Sequence, residues 1–119
     1  MTVQMNTKYG SIHILEDVIA RIAGSAAMEC YGLVGMASRS QMKDGIAEIL
    51  GRNNLTRGVE VNLDHTGLLI SLYIIVSYGT KILEVAHNIQ KKVKYEFHEI
   101  TGLSIEKINI IVQGVRVSS

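Results

Sequence analysis

Apolar residues recur along this chain at spacings that predict helices alternating with strands. Over residues 16–30 they share one helical face, and Glu16 and Asp17 occupy the first turn, where the helix dipole favours acids. A longer helix is predicted from Gly79-Thr80 to about Thr101, because apolar positions recur there every three or four residues. The positions that this longer helix is predicted to turn toward the core are Ile82, Ala86, Ile89, Val93, Phe97 and Ile100.

Short apolar runs and alternating patterns predict the strands. Residues 8–14 form an extended lead-in, and a short helix over residues 40–50 begins at the capping residue Ser40. A turn at His65-Thr66-Gly67 separates two strands that alternate in polarity. The predicted strands are Leu33–Met36 and residues 58–64, 69–77 and 107–117.

The order helix, strand, helix, strand, strand, helix, strand predicts one fold class. It is an α+β domain of two layers, a mixed sheet with helices packed on one face. In the strand of residues 69–77, one face is uniformly apolar, whereas the other carries Leu69, Tyr73 and Ile75 among polar residues. We expect this second face to be partly exposed and to support self-association of the protein.

Composition and charge exclude several classes of protein. The 119 residues predict a single domain over 1–119, and a hydrophobic content of 47% excludes intrinsic disorder. Twelve basic against eleven acidic residues give a net charge of +1, which argues against a dedicated nucleic-acid binder. The N-terminus lacks the pattern of a signal peptide, and the longest apolar stretch is too short to span a bilayer. We therefore expect a cytoplasmic protein that does not insert directly into a membrane.

The residues that could carry catalysis or bind a cofactor have simpler structural explanations. Cys30, the single cysteine, ends an apolar helix, where a small buried thiol is the usual outcome. The four histidines do not have the spacing of metal ligands. Gly32-Leu33-Val34-Gly35 matches the loop of RNA-binding KH domains, but its two middle residues are aliphatic. We predict no catalytic residue, cofactor or metal.

One polar pattern on the longest helix indicates a binding surface. His87, Lys91, Lys94 and His98 follow one another at helical spacing opposite the apolar face, with Lys92 alongside. A solvated helix face is the ordinary explanation for such residues. As a functional surface, these four residues, here called the basic stripe, would bind an acidic protein partner.

Several short phrases, in order along the chain, resemble one known family. They are Gly10-Ser11-Ile12, Val18-Ile19 through Ile22-Ala23, Glu29-Cys30-Tyr31-Gly32-Leu33-Val34-Gly35-Met36, Gly58-Val59-Glu60-Val61, Tyr73 to Tyr78-Gly79, Ile89-Gln90 with Val93, Thr101-Gly102-Leu103, and Asn109 to Gly114-Val115. Together they resemble the alkaline-shock-protein family of Gram-positive bacteria, also called the envelope stress response family. The resemblance runs over about residues 9–117.

This resemblance implies a function but no catalytic residues. Members are small, non-enzymatic cytoplasmic proteins linked to cell-envelope homeostasis, and they can self-associate. Some are held at the membrane by a separate membrane-anchored partner. Short members are often encoded beside a dihydroxyacetone-kinase-like protein that phosphorylates fatty acids. The long charged extensions of the larger stress-induced members are missing here.

The function predicted from these observations is a non-catalytic interaction or scaffold protein of cell-envelope stress homeostasis. One alternative, implied by the resemblance, is an accessory protein for the fatty-acid-phosphorylating enzyme. A second alternative is a KH-like nucleic-acid-binding domain, against which the neutral charge and the low content of aromatic residues argue.

Overall fold

The computed structural model describes residues 2–38 and 52–117 of the chain. A 3₁₀ helix over Arg52–Gly58 precedes the second half of the fold. The strands and helices, in chain order, are β1 (Thr2–Thr7), β2 (Gly10–Leu15), α1 (Glu16–Met28), β3 (Leu33–Met36), β4 (Val59–Asp64), β5 (Gly67–Ser77), α2 (Ile82–Thr101) and β6 (Ile105–Arg116). The predicted α+β class is confirmed. The helix predicted to begin at Ser40 lies outside the described residues.

The main sheet is built around β5. Along its whole length, β5 pairs in parallel with β6, from Leu68 opposite Ile105 to Ser77 opposite Arg116. The other edge of β5 is shared, because β4 pairs antiparallel with its first half and β3 pairs antiparallel with Ile74, Ile75 and Val76. The sheet is therefore mixed, and α2 is the crossover between its two parallel strands.

A separate hairpin of β1 and β2 precedes the main domain. The sequence analysis predicted only an extended lead-in over residues 8–14 and overlooked β1. The apolar side of the hairpin is buried at its base, where Val3 pairs with Ile14. Tyr9 at the tip is exposed, with the ammonium group of Lys8 5.1 Å from the centre of its ring. The hairpin contributes to an elongated molecule of 53 × 27 × 25 Å.

The core lies between the two helices and one face of the sheet. Small residues of α1 allow close packing, and a methyl group added at Gly24 would lie 3.4 Å from the Leu55 Cβ. The β5 residues predicted to face the core, Ile70, Leu72, Ile74 and Val76, are all fully buried. Each Å² of apolar surface that such side chains bury stabilises the folded state by about 25 cal/mol.

The predicted core-facing side of α2 is partly wrong. Ile89, Val93 and Phe97 are buried as expected, but Ile82 and Ile100 are exposed and Ala86 is half-buried. Val85, which the prediction omitted, is buried instead. The physical reason is a tertiary contact, because Val85 packs against Gly32 in the connection between α1 and β3.

The second face of β5 is less available than expected. Leu69 and Tyr73 are half-buried, as predicted, whereas Ile75 is fully buried. Ile75 clusters with Ala37 and Val34, so the chain itself covers this part of the sheet.

Candidate partner-binding surface

The exposed face of α2 carries the basic stripe. His87, Lys91, Lys94 and His98 are all exposed, so the four side chains form one continuous polar face as predicted. The helix that presents them ends at Gly102, whose φ of 78° is left-handed and whose N–H donates to the His98 carbonyl at 2.8 Å. This hydrogen bond closes the last turn of α2, which carries His98 of the stripe.

Lys92 differs from the lysines of the stripe. Its Nζ atom lies 3.1 Å from a carboxylate oxygen of Glu96 and 3.7 Å from one of Glu29. The hydrogen bond to Glu96 is the main cause that raises the pKa of Lys92. Lys92 thus joins α2 to the end of α1. Within residues 2–38 and 52–117, neither Lys91 nor Lys94 forms an ion pair of this kind.

One histidine of the stripe also has a structural contact. The Nδ1 atom of His98 lies 3.2 Å from the Leu103 carbonyl oxygen, which accepts a hydrogen bond when Nδ1 carries the hydrogen. His98 therefore bridges the end of α2 and the connection to β6. Unlike His98, Lys91 and Lys94 form no ion pair or side-chain hydrogen bond with another residue in the described ranges.

A groove runs beside the stripe, between α2 and β6. It encloses about 210 Å³ and is lined by Gln90, Lys91, Lys94, Ile105, Glu106 and Ile108. Across it, the amide Nε2 of Gln90 donates a hydrogen bond of 2.8 Å to the Ile108 carbonyl oxygen. The groove therefore places two lysines of the stripe next to the backbone of a strand.

That strand is an edge of the sheet. Among the described residues, β6 pairs with β5 alone, so its other side has no neighbouring strand. The sequence analysis identified the strand and the stripe but did not bring them together. The pattern of a strand indicates which side chains face the core, and it does not indicate which backbone edge is left without a partner.

A second exposed surface lies at one end of the domain. The backbone N–H of Ser77 donates to the Gly32 carbonyl, and that of Tyr78 donates to the Arg116 carbonyl. These bonds bring together the end of β5, the start of β3 and the end of β6. The surface, here called the apolar end, comprises the exposed side chains of Tyr31, Tyr78, Ile82, Leu83, Val115 and Val117.

The remaining candidates from the sequence do not form a reactive site. Cys30 is half-buried, and burial is the main cause that raises the pKa of its thiol. In the described part of the chain, no group of histidine, cysteine or acidic side chains is arranged to hold a metal ion. Gly32 packs against Val85 and Thr80 within the fold, so the Gly32-Leu33-Val34-Gly35 segment is a packed connection.

Neither helix of the described ranges combines the length and the apolar character that crossing a bilayer needs.

Comparison with known proteins places the chain among sequence relatives. The profile of the alkaline shock protein 23 family, described as having a cell envelope-related function, matches residues 4–117. The protein YloU of Bacillus subtilis (strain 168) is 55% identical over 119 residues, which is 100% of this chain and 99% of that protein. The protein Spy1614 of Streptococcus pyogenes serotype M6 is 42% identical over 117 residues, covering 98% of this chain and 97% of its own length.

These relatives carry no assigned activity. Both are named only as uncharacterized proteins, and neither they nor the family description gives a sign of catalysis. A solved MamM domain in a zinc form aligns with 87% of this chain and 86% of its own, at a TM-score of 0.48 and 12% identity. That degree of similarity gives no information about function.

Proposed function

The chain belongs to the alkaline shock protein 23 family, which has a cell envelope-related function, and we propose that it acts there as a non-catalytic interaction module. The observation that carries the proposal is the pair Lys91 and Lys94. Both are exposed on one helix face, and neither has an ion-pair partner among the described residues. The partner we propose is an acidic protein.

The lysines of α2 differ in their ion-pair partners. Lys92 is neutralised by Glu96 and Glu29, so its charge serves the packing of α2 on α1. Lys91 and Lys94 instead leave a local positive field on a protein whose net charge is only +1. Such a field accelerates association with a surface of opposite charge, and it weakens as salt is added.

We further propose that the protein works in the cytoplasm and reaches the membrane only through a membrane-anchored partner. Self-association belongs to the same proposal, since a scaffold must present more than one binding surface. Because the relatives give no sign of catalysis, the proposal needs no cofactor and no reaction at the stripe. Neither a nucleic-acid-binding role nor a role as accessory to a lipid-phosphorylating enzyme gains support from the described residues.

The experiment compares two charge-reversed proteins of equal net charge. One carries Lys91→Glu and Lys94→Glu, and the control carries Lys8→Glu and Lys81→Glu at exposed positions outside the stripe. Each is expressed at native level, crosslinked in the cell and recovered with its partners. We expect the stripe variant to lose partner recovery several-fold at low ionic strength, because each exposed contact contributes about 0.2–1 kcal/mol. Equal recovery by the stripe variant and the control would overturn the role of the stripe.

A further inference from the structure

We propose that the stripe captures its partner as an added strand, with an extended acidic segment of that partner paired along the free edge of β6. This inference rests on the proposed function and specifies the form of the partner. Its basis is a juxtaposition in one groove: as far as the described ranges show, two lysines there have no ion-pair partner and the strand edge beside them has no neighbouring strand. Addition of a strand to an open edge is a general mode of peptide recognition.

The free edge of β6 offers backbone hydrogen bonds. The strand runs for twelve residues, Ile105–Arg116, and pairs only with β5 in the described part of the chain. A long open edge presents unpaired N–H and C=O groups, and proteins commonly cover such edges to prevent unwanted pairing. Here Gln90 covers one position, the Ile108 carbonyl. No strand among the described residues pairs with this edge from Asn109 to Val115, so this part can pair with an extended peptide.

The groove selects the charge of that peptide. Two lysines line it against one acid, Glu106, so its walls carry a net charge of +1. Lys91 and Lys94 line it from α2, whereas Ile105, Glu106 and Ile108 line it from the start of β6. A peptide on the edge would pair its backbone with β6 and could direct every second side chain toward the lysines. Carboxylates at those positions would form ion pairs with the two lysines, for which residues 2–38 and 52–117 provide no acidic partner.

A second copy of β6 suits the groove less well. The strand carries one acid, Glu106, and two bases, Lys107 and Arg116, so it is itself net basic. Pairing two copies edge to edge would bring further positive charge toward a basic groove. An acidic segment of another protein is therefore the better match.

Synthetic peptides with blocked ends test the inference on the full chain. The first peptide alternates valine and glutamate, and the second has lysine in place of each glutamate. The third has the sequence of the first, with the backbone nitrogen of every residue except the two at its ends methylated. The third keeps the side chains and charge but lacks the backbone donors of a strand. Binding is followed through the backbone amide signals of the isotope-labelled protein.

We expect the acidic peptide to shift the signals of β6 and of the exposed face of α2. The lysine peptide and the N-methylated peptide should each bind about tenfold more weakly, because one loses the charge match and the other the pairing. The double substitution Lys91→Glu with Lys94→Glu should weaken binding of the acidic peptide to a similar degree. The control pair Lys8→Glu with Lys81→Glu should leave this binding unchanged.

Each other outcome contradicts a specific part of the inference. Equal binding of the N-methylated peptide would mean that the stripe attracts charge without strand addition, and the proposed function would survive. Tighter binding of a peptide copied from β6 would identify a second copy as the occupant. No saturable binding of the acidic peptide, or shifts away from β6, would overturn strand addition itself. Failure of the proposed function would appear separately, as unchanged partner recovery in the crosslinking experiment.

Discussion

At the scale of single residues, Cys30 shows how packing controls reactivity. Its thiol lies at the end of α1, with Sγ 3.9 Å from the Ala26 carbonyl oxygen. Burial raises the pKa of the Cys30 thiol, and the nearby Lys92 opposes the rise only in part. A raised pKa lowers the fraction of thiolate at neutral pH, and the thiolate is the reactive form.

We therefore predict slow alkylation of Cys30 in the folded protein. At pH 7 the native chain should react several-fold more slowly with a thiol reagent than the same chain unfolded in urea. Because Cys30 is the one cysteine of the sequence, the signal has a single source. The control is the alkylation rate of free cysteine with and without urea. It separates the effect of urea on the reagent from the effect of unfolding the chain. Native reaction as fast as that of the unfolded chain would indicate an activated thiol instead.

The basic stripe shows what sequence can predict at this scale. The exposure of Lys91 and Lys94 follows from helical periodicity, because the opposite face contains the buried Ile89 and Val93. The different role of Lys92 does not follow from periodicity. Its neighbour Glu29 is the C-cap residue of α1, and such a contact is created only when α1 and α2 pack together.

At the scale of elements, the connection between α1 and β3 depends on one glycine. Gly32 has a φ of 89°, and a Cβ added there would lie 2.6 Å from Cγ2 of Val85. The left-handed backbone disfavours any side chain, and the close approach of α2 adds a clash. This contact also explains why Val85 is buried in place of the predicted Ile82.

We predict that Gly32→Ala destabilises the fold by about 2–4 kcal/mol, from backbone strain and steric overlap together. Gly79→Ala is the matched control, because Gly79 has a similar φ of 91° but no atom within 4 Å of an added Cβ. It should cost only the strain, about 1–2 kcal/mol. Urea unfolding of both variants gives the two values.

A further variant tests the source of the difference. Val85→Ala removes the atom that a new side chain at Gly32 would meet, so the double variant should be more stable than the sum of the two single effects predicts. Equal costs at Gly32 and Gly79, or strict additivity with Val85→Ala, would show that the close approach has no energetic consequence.

The hairpin of β1 and β2 shows where sequence patterns fail for an element. Val3 and Met5 alternate with polar residues in β1, but six residues of this kind give a weak signal. The connection is Lys8-Tyr9, which lacks the Asn-Gly or Asp-Gly pair of the most recognisable hairpins. By contrast, β4 and β5 were predictable because a turn at His65-Thr66 separates the regular alternation of β4 from the eleven-residue pattern of β5. There the Asp64 carboxylate accepts hydrogen bonds from the N–H groups of Thr66 and Gly67.

At the scale of the whole molecule, the two-layer arrangement followed from the order of elements. The uniformly apolar face of β5 required helices on one side of the sheet. The long helix between β5 and β6 allowed these two strands to run parallel. Surfaces were harder to predict. Ile75 was expected to contribute to an association surface, but Ala37 and Val34 pack on it. Exposure of a sheet face depends on segments distant in sequence.

The apolar end offers a better surface for self-association than the face of the sheet. Tyr31 is 89% exposed, Leu83 85% and Val117 79%. An aromatic side chain has a surface area of about 150–250 Å², and an aliphatic side chain has less. The exposed side chains of the apolar end therefore present roughly 700 Å² in total. A stable interface buries about 800 Å² on each partner. A second copy supplies a surface of the same size, and the net charge of +1 opposes the approach of two copies only weakly.

We therefore predict that the protein self-associates through the apolar end and that Leu83→Glu prevents it. Leu83 lies in the first turn of α2, where an acid is compatible with the helix dipole, so the substitution should leave the fold intact. Tyr9→Glu is the matched control, because Tyr9 is equally exposed, at 87%, but lies at the tip of the hairpin. Light scattering coupled to size exclusion should give a larger mass for the wild type and for Tyr9→Glu than for Leu83→Glu. A wild type that is monomeric at its cellular concentration would contradict the prediction, and so would an unchanged mass for Leu83→Glu. A loss of mass with Tyr9→Glu alone would place the contact at the hairpin.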